Sequence, residues 1–177
     1  MPDGAGAGAA AASLASWRAN RALRRAVGTF VTGVTVITTR DADGTPRGMT
    51  ANSFTSVSLD PPLLLVSVAR TARSHGELFG RAFCVNILGA EQEATAREFA
   101  GGAASEPAWL DHPVAPRLAG PLAWLACEPW RDYDGGDHTL FIGRIADFGS
   151  RDGDALGYAN SRFMVFAEPR FGHEFLI

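Results

Sequence analysis

Between Arg47 and Ser58, six of twelve residues are Thr, Ser or Asn, and they follow Gly48 on a stretch that reads as a strand. Such a strand offers backbone amides and side-chain hydroxyls to the edge of a polar heterocycle or to a phosphate, without a formal counter-charge. Thr and Ser also favour strands for their own sake, so composition weighs the ligand reading and the plain strand about equally. A second span brings Arg70, Arg73 and Ser74 together. There, Ser74-His-Gly-Glu77 fits a capping box at the start of a short helix through Phe79, where free amides and guanidinium groups favour an anion. Read as a cap alone, Ser74 requires no ligand.

Other chemistries find less support. The four histidines, His75, His112, His138 and His173, show no i, i+4 pairing and no accompanying acidic cluster, so spacing names no metal site. No G-x-S-x-G elbow presents a nucleophile, which weakens the case for hydrolysis. Gly6, Gly8 and Ala11 match the spacing of a dinucleotide fingerprint, yet nothing before them could form the strand from which that turn emerges.

The elements that must hold these residues are mostly strands. Ala19, Ala22, Leu23, Ala26 and Val27 share one helical face, opposite Arg18, Arg21, Arg24 and Arg25, and Gly28 is placed to end the helix. The arginines read first as the solvated face. Gly33 to Thr39 and Arg47 to Phe54 read as strands around an Asp41-Ala-Asp-Gly44 turn. Ser58 to Pro62 must be a corner, because consecutive prolines remove donors and restrict their predecessor. Leu63 to Ala69 reads as a strand buried on both faces, Phe83 to Leu88 as another, and Glu91 to Phe99 as a helix closed by Gly101. Residues 102–118 read as a long loop. Pro121 to Trp130 and His138 to Phe148 should pair antiparallel around a turn-rich 132–137 segment, and Arg162 to Ala167 is a last strand. Six or seven strands with few short helices indicate an antiparallel barrel rather than a βαβ series.

Residues 1–15 are nearly all Ala, Gly and Ser, which reads as a disordered tail ahead of one domain at 16–177. Sixteen Lys plus Arg against nineteen Asp plus Glu give a net charge of −3, which argues against nucleic acid as partner. Cys84 and Cys127 are the only cysteines, too few and too far apart for a disulfide framework, and the expected compartment is the cytoplasm. No apolar run approaches the roughly 18 residues of a membrane span.

Four strings carry a resemblance: Gly33 to Thr39, Gly48-Met-Thr-Ala-Asn-Ser-Phe-Thr-Ser-Val-Ser-Leu-Asp-Pro-Pro62, Phe83-Cys-Val-Asn-Ile-Leu88 and Gly136-Asp-His-Thr-Leu-Phe-Ile-Gly143. Over about Phe30 to Phe166 the chain resembles the flavin reductase family of two-component monooxygenases. The resemblance implies a mainly β fold, a split β-barrel of the FMN-binding, Greek-key type with short peripheral helices. It implies hydride transfer from NADH or NADPH to FMN or FAD, a homodimer, and a separate monooxygenase that receives reduced flavin. Met49, Thr50, Ala51, Asn52 and Ser53 become flavin contacts on this reading. Ser67, Val68, Ala69, Arg70, Arg73, Ser74 and His75 become the strand end and turn that cradle the flavin phosphate. Gly136, Asp137 and His138 become the nicotinamide-associated motif, with His138 as the catalytic position. A non-catalytic flavin carrier and an FMN-dependent oxidase on the same barrel are the alternatives, since fold does not fix function.

Overall fold

The computed structural model describes residues 20–102 and 107–166. The Ala/Gly-rich tail with its fingerprint-like glycines, and the chain from residue 167 onward, lie outside the described residues. Helix α1 takes residues 20–27, and the Gly28 amide closes it on the Arg24 carbonyl at 2.9 Å. Its apolar stripe does not reach the core, because Leu23 and Val27 remain 62% and 65% exposed.

Among the described residues twelve strands follow, with one further α-helix between the sixth and seventh: β1 Thr32–Gly33, β2 Thr35–Arg40, β3 Pro46–Ala51, β4 Thr55–Leu59, β5 Pro62–Ala69, β6 Phe83–Ile87, α2 Glu93–Phe99, β7 Trp109–Leu110, β8 Arg117–Leu118, β9 Ala123–Gly135, β10 His138–Ser150, β11 Ala155–Ala159 and β12 Arg162–Phe166. The main sheet has the order β3-β2-β6-β9-β10-β5-β4, and β1-β11-β12 and β7-β8 form two small sheets. β3 and β4 are therefore neighbours in sequence but lie at opposite edges of seven strands. A flat sheet would separate its outer strands by about 29 Å. Residues 52–54, which join them, reach about 14 Å, so the sheet must curl until its edges nearly meet. The result is a split barrel with the 52–54 crossover at its seam.

The barrel interior is packed by Ile37, Leu64, Val66, Val68, Phe83, Val85, Cys127 and Phe141, with Leu78 closing one side. A second cluster, including Val36, Leu88, Ala96, Leu118 and Leu156, lies between the barrel, α2 and the small sheet. β2 serves both clusters, which is why Thr35 to Thr39 are all buried. Its buried hydroxyls are satisfied: Thr35 donates to the Ala51 carbonyl at 2.7 Å and Thr39 to the Ala82 carbonyl at 2.9 Å. Asn86, fully buried, donates to the Val36 carbonyl and accepts from the Leu118 amide, each at 2.9 Å, and so ties the outer loop to the barrel.

Several expectations need correction. β5 is not buried on both faces: Leu64, Val66 and Val68 are buried, while Leu63, Leu65, Ser67 and Ala69 are only partly so. The stretch from Arg47 to Phe54 is not one strand, since it leaves the sheet after Ala51 to make the crossover. The segment around Ser58 to Pro62 is tighter than a corner, because β4 runs through Leu59 and only residues 60 and 61 separate it from β5. The 132–137 loop is likewise mostly strand, with β9 and β10 pairing to Gly135↔His138 around a two-residue turn. Gly136 heads that turn at φ +79°, a conformation that favours glycine. Ser74 makes no side-chain cap, and the expected helix is a single 3₁₀ turn, His75–Glu77. β11 was absent from the sequence reading, as were the short pairs β7 and β8 inside the 102–118 loop.

Gly143 sits at a register shift of β10, and a Cβ there would lie 2.6 Å from Phe83 Cζ and 2.7 Å from Cys127 Cβ. The two cysteines are free and buried. Burial pushes the Cys84 thiol up to about 12 and raises that of Cys127 as well, so both stay protonated and unreactive near neutrality. Ellman's reagent is expected to leave both untouched in the native protein and to titrate both in denaturant.

Candidate flavin and nicotinamide site

One cavity of about 250 Å³ gathers residues from three separate parts of the chain. Met49, Thr50 and Ala51 come from the end of β3, and Asn52 and Ser53 from the crossover. Ser67, Val68 and Ala69 come from the end of β5, and His138 from the start of β10. The antiparallel register explains the last meeting, because His138 stands directly across from Ala69 and Leu140 across from Ser67. Ala72 adds a further small side chain. With Ala51, Ser53, Ser67, Ala69 and Ala72 in its wall, the cavity lets a flat ring approach the backbone closely, so the residues present fit an isoalloxazine edge.

The hydroxyls here are more committed than their types suggest. Ser53 Oγ donates to the Ser67 carbonyl at 2.7 Å and accepts from the Ser67 amide at 3.1 Å, bridging the crossover to β5 at the barrel seam. Thr50 Oγ1 donates to the Ala96 carbonyl at 2.6 Å and fastens β3 to α2. Asn52 is exposed, and its side chain makes no hydrogen bond among the described residues. It also lines the two larger neighbouring cavities, of about 830 and 540 Å³.

The remaining expected contacts lie outside the small cavity. Arg70 clamps the β9–β10 tip: its Nε donates to the Gly136 carbonyl at 2.9 Å, its Nη2 pairs with Asp134 at 3.0 Å, and its amide donates to the Asp137 carbonyl at 2.9 Å. Arg73 is exposed and forms no ion pair among the described residues. His75 is engaged in packing, its Nε2 at 2.9 Å from Thr139 Oγ1 and its ring edge-on to Phe79 and Phe141. The positioning part played by Arg70 was missed in sequence, where Asp134 carried no signal that it faces this guanidinium.

His138 Nδ1 lies 2.6 Å from Asp137 Oδ1, which leaves Nε2 as the ring's other polar atom. The hydrogen bond from His138, and then its positive charge, hold the Asp137 carboxyl below its ordinary value, with a smaller contribution from Arg24. A depressed carboxyl keeps this pairing above its ordinary pKa and loses it as pH falls through the lowered one. In an NMR titration Asp137 is therefore expected to protonate below 3.8, and His138→Ala is expected to return it toward that value.

A family model described as flavin reductase like domain matches residues 27–167. The chain belongs to the flavin reductase family. It is 44% identical over 150 residues to the stachydrine N-demethylase reductase subunit of Rhizobium meliloti, covering 82% of this chain and 65% of that one. It is 42% identical over 160 residues to the NADH-dependent FAD reductase of Streptomyces globisporus, covering 82% and 85%. Among solved structures, the Streptomyces globisporus C-1027 NADH:FAD oxidoreductase in complex with NAD and FAD fragments superposes with a TM-score of 0.78 at 41% identity, covering 84% and 93%. Not every relative is of similar length: the chain spans about two thirds of the first of these and about half of two further curated relatives. The family assignment agrees with the split barrel.

Among the described residues, no helix is long and apolar enough to cross a membrane.

Proposed function

We propose that the protein is an NADH:flavin oxidoreductase that reduces FMN or FAD and passes the reduced flavin to a separate flavin-dependent monooxygenase. The observation that carries this reading is the convergence of Met49 to Ser53, Ser67 to Ala69 and His138 on one small-walled cavity, in a chain of the flavin reductase family. Relatives named for their reductant use NADH, and their names include both FAD and FMN reductases. Others are named as reductase components of monooxygenases.

Bound flavin supplies the ring that accepts a hydride from the nicotinamide. This chain's residues supply position. Ala51, Ala69 and Ala72 leave room for the ring, Asn52 offers an uncommitted amide to its polar edge, and Arg73 is the exposed cation available to a phosphate. His138, steadied by Asp137 and by Arg70 behind the hairpin tip, receives the nicotinamide. No side chain needs to act as an acid or base for hydride transfer.

A homodimer is part of the same reading. Leu23, Val27, Phe30 and Val31, together with Val57 and Leu59 of β4, are exposed apolar residues of the kind a second copy would cover. We place the protein in the cytoplasm, a reading supported by two free, buried thiols.

The test is NADH oxidation, followed by absorbance, with and without added FMN, FAD or riboflavin. Flavin-dependent turnover is expected. Flavin binding without any nucleotide oxidation would replace the reductase reading with the carrier.

A further inference from the structure

The first acidic residue after Asp3 is Asp41, and Arg18, Arg21, Arg24, Arg25 and Arg40 fall between them, so a chain of net charge −3 keeps one positive stretch. Arg21, Arg24 and Arg25 of α1 meet in a single cavity of about 640 Å³, together with Thr29, Asn160 and Ser161. The Gly28 carbonyl accepts from the Asn160 amide at 2.7 Å, which ties the end of α1 to the β11–β12 turn and gives the cluster a defined place on the barrel. All three arginines are exposed, and Arg24 and Arg25 form no ion pair among the described residues. Like charges at i, i+3 and i, i+4 spacing destabilise a helix, and α1 contributes no residue to the buried core clusters. The cluster therefore works against the helix that carries it, as a surface kept for a partner does.

Arg24 also lines the 830 Å³ cavity, which reaches Asn52 and Ser53 of the flavin site, and it adds to the pull on the Asp137 carboxyl. The arginine face thus stands beside the opening of that site. Guanidinium groups gathered in a concave surface suit carboxylates, which they hold through paired N–H donors. An anionic membrane fits less well, because the apolar residues that would have to insert, Leu23 and Val27, line the 830 Å³ cavity with Phe54 and Tyr158. We propose that the arginine face of α1 docks an acidic segment of the protein that receives the reduced flavin. A partner held there stands over the cavity that leads to Asn52 and Ser53, so the reduced flavin has a short path to it. A second copy covering Leu23 and Val27 leaves this face open, since Arg21 and Arg25 each lie about 200° around the helix from Leu23. The proposal rests on the reductase reading and adds a recognition surface to it.

The experiment uses the full chain with fluorescein-labelled decaglutamate as the probe, followed by fluorescence anisotropy. It compares the unsubstituted protein with Arg21→Glu/Arg25→Glu and with Arg21→Lys/Arg25→Lys. Decaglutamate is expected to bind the unsubstituted protein, to lose about tenfold or more in affinity in the Glu variant, and to stay within about threefold in the Lys variant. Bound decaglutamate is expected to raise KM for FMN in the unsubstituted protein and not in the Glu variant. Without the probe, both variants are expected to reduce FMN with NADH at the unsubstituted rate, since neither arginine lines the flavin cavity. No binding, equal affinity in the unsubstituted protein and the Glu variant, or an unmoved KM for FMN would overturn the docking surface. Displacement of decaglutamate by phosphatidylserine vesicles would overturn it too, by assigning α1 to a membrane. Binding that depends on these arginines in a protein that oxidises no NADH with any flavin would support an acidic partner and count against the reductase reading instead. Thermal melts of both variants separate a lost contact from a lost fold.

Discussion

Replacing His138 with alanine is expected to slow single-turnover reduction of bound flavin by NADH about 100-fold, while the Kd of oxidised flavin is expected to rise less than about threefold. The asymmetry follows from where His138 sits. It lines the cavity at the first residue of β10, across from Ala69, but the rest of the wall comes from the end of β3, the crossover, the end of β5 and Ala72. A flavin held by those elements loses one contact at most. The nicotinamide must lie with its donor carbon about 3–3.5 Å from the accepting atom, and a misplacement of about 1 Å costs on the order of 100-fold. Arg70→Ala tests the same idea at one remove, since Arg70 touches the hairpin tip through Gly136 and Asp134. It is expected to slow reduction by less than His138→Ala and to raise KM for NADH more than it lowers kcat. Stopped-flow reduction under anaerobic conditions measures both, and a normal rate in His138→Ala would remove this residue from the mechanism.

How much of this was legible in the sequence depends on whether the signal was local. The Asp41 to Gly44 turn was readable because its chemistry is self-contained: Asp41 Oδ1 accepts from the Asp43 and Thr45 amides. Met49 to Ser53 stood out by residue type, and Gly136 to His138 only through the family's motif. What joins those two strings is the β5–β10 register, a long-range property that no short window of residue types encodes. The same limit hid β11, whose pairing with β12 turns on Asn160 and Ser161 at positive φ rather than on glycine. Ser74 failed as a cap for a different reason. The capping-box spacing is present in the residues, but the chain spends only three residues in the turn that follows, too few for a helix start to need it. Ser53 shows the converse, since its hydroxyl read as a ligand donor and is occupied in holding the barrel seam.

That occupied hydroxyl separates two neighbouring residues by experiment. Ser53→Ala removes both a donor and an acceptor from Ser67, leaving a partly buried amide and carbonyl without the partners they have at 3.1 and 2.7 Å. A stability loss of about 1–3 kcal/mol is expected, seen as a fall in Tm of about 2–12 °C for a chain of this size. Flavin affinity is expected to fall with it, about tenfold, because Ser67 forms the opposite wall of the cavity and the seam is free to widen. Asn52→Ala should behave differently. Asn52 is exposed and bonds to no described residue through its side chain, so Tm is expected to move by less than about 1 °C, while flavin Kd rises by a comparable factor through loss of a direct contact. Thermal melts and flavin titrations on the two variants decide between a seam and a ligand contact at each position. Equal Tm values for the two variants would show that the Ser53–Ser67 bridge does not hold the barrel, and an unchanged flavin Kd in Asn52→Ala would move the isoalloxazine edge away from the crossover.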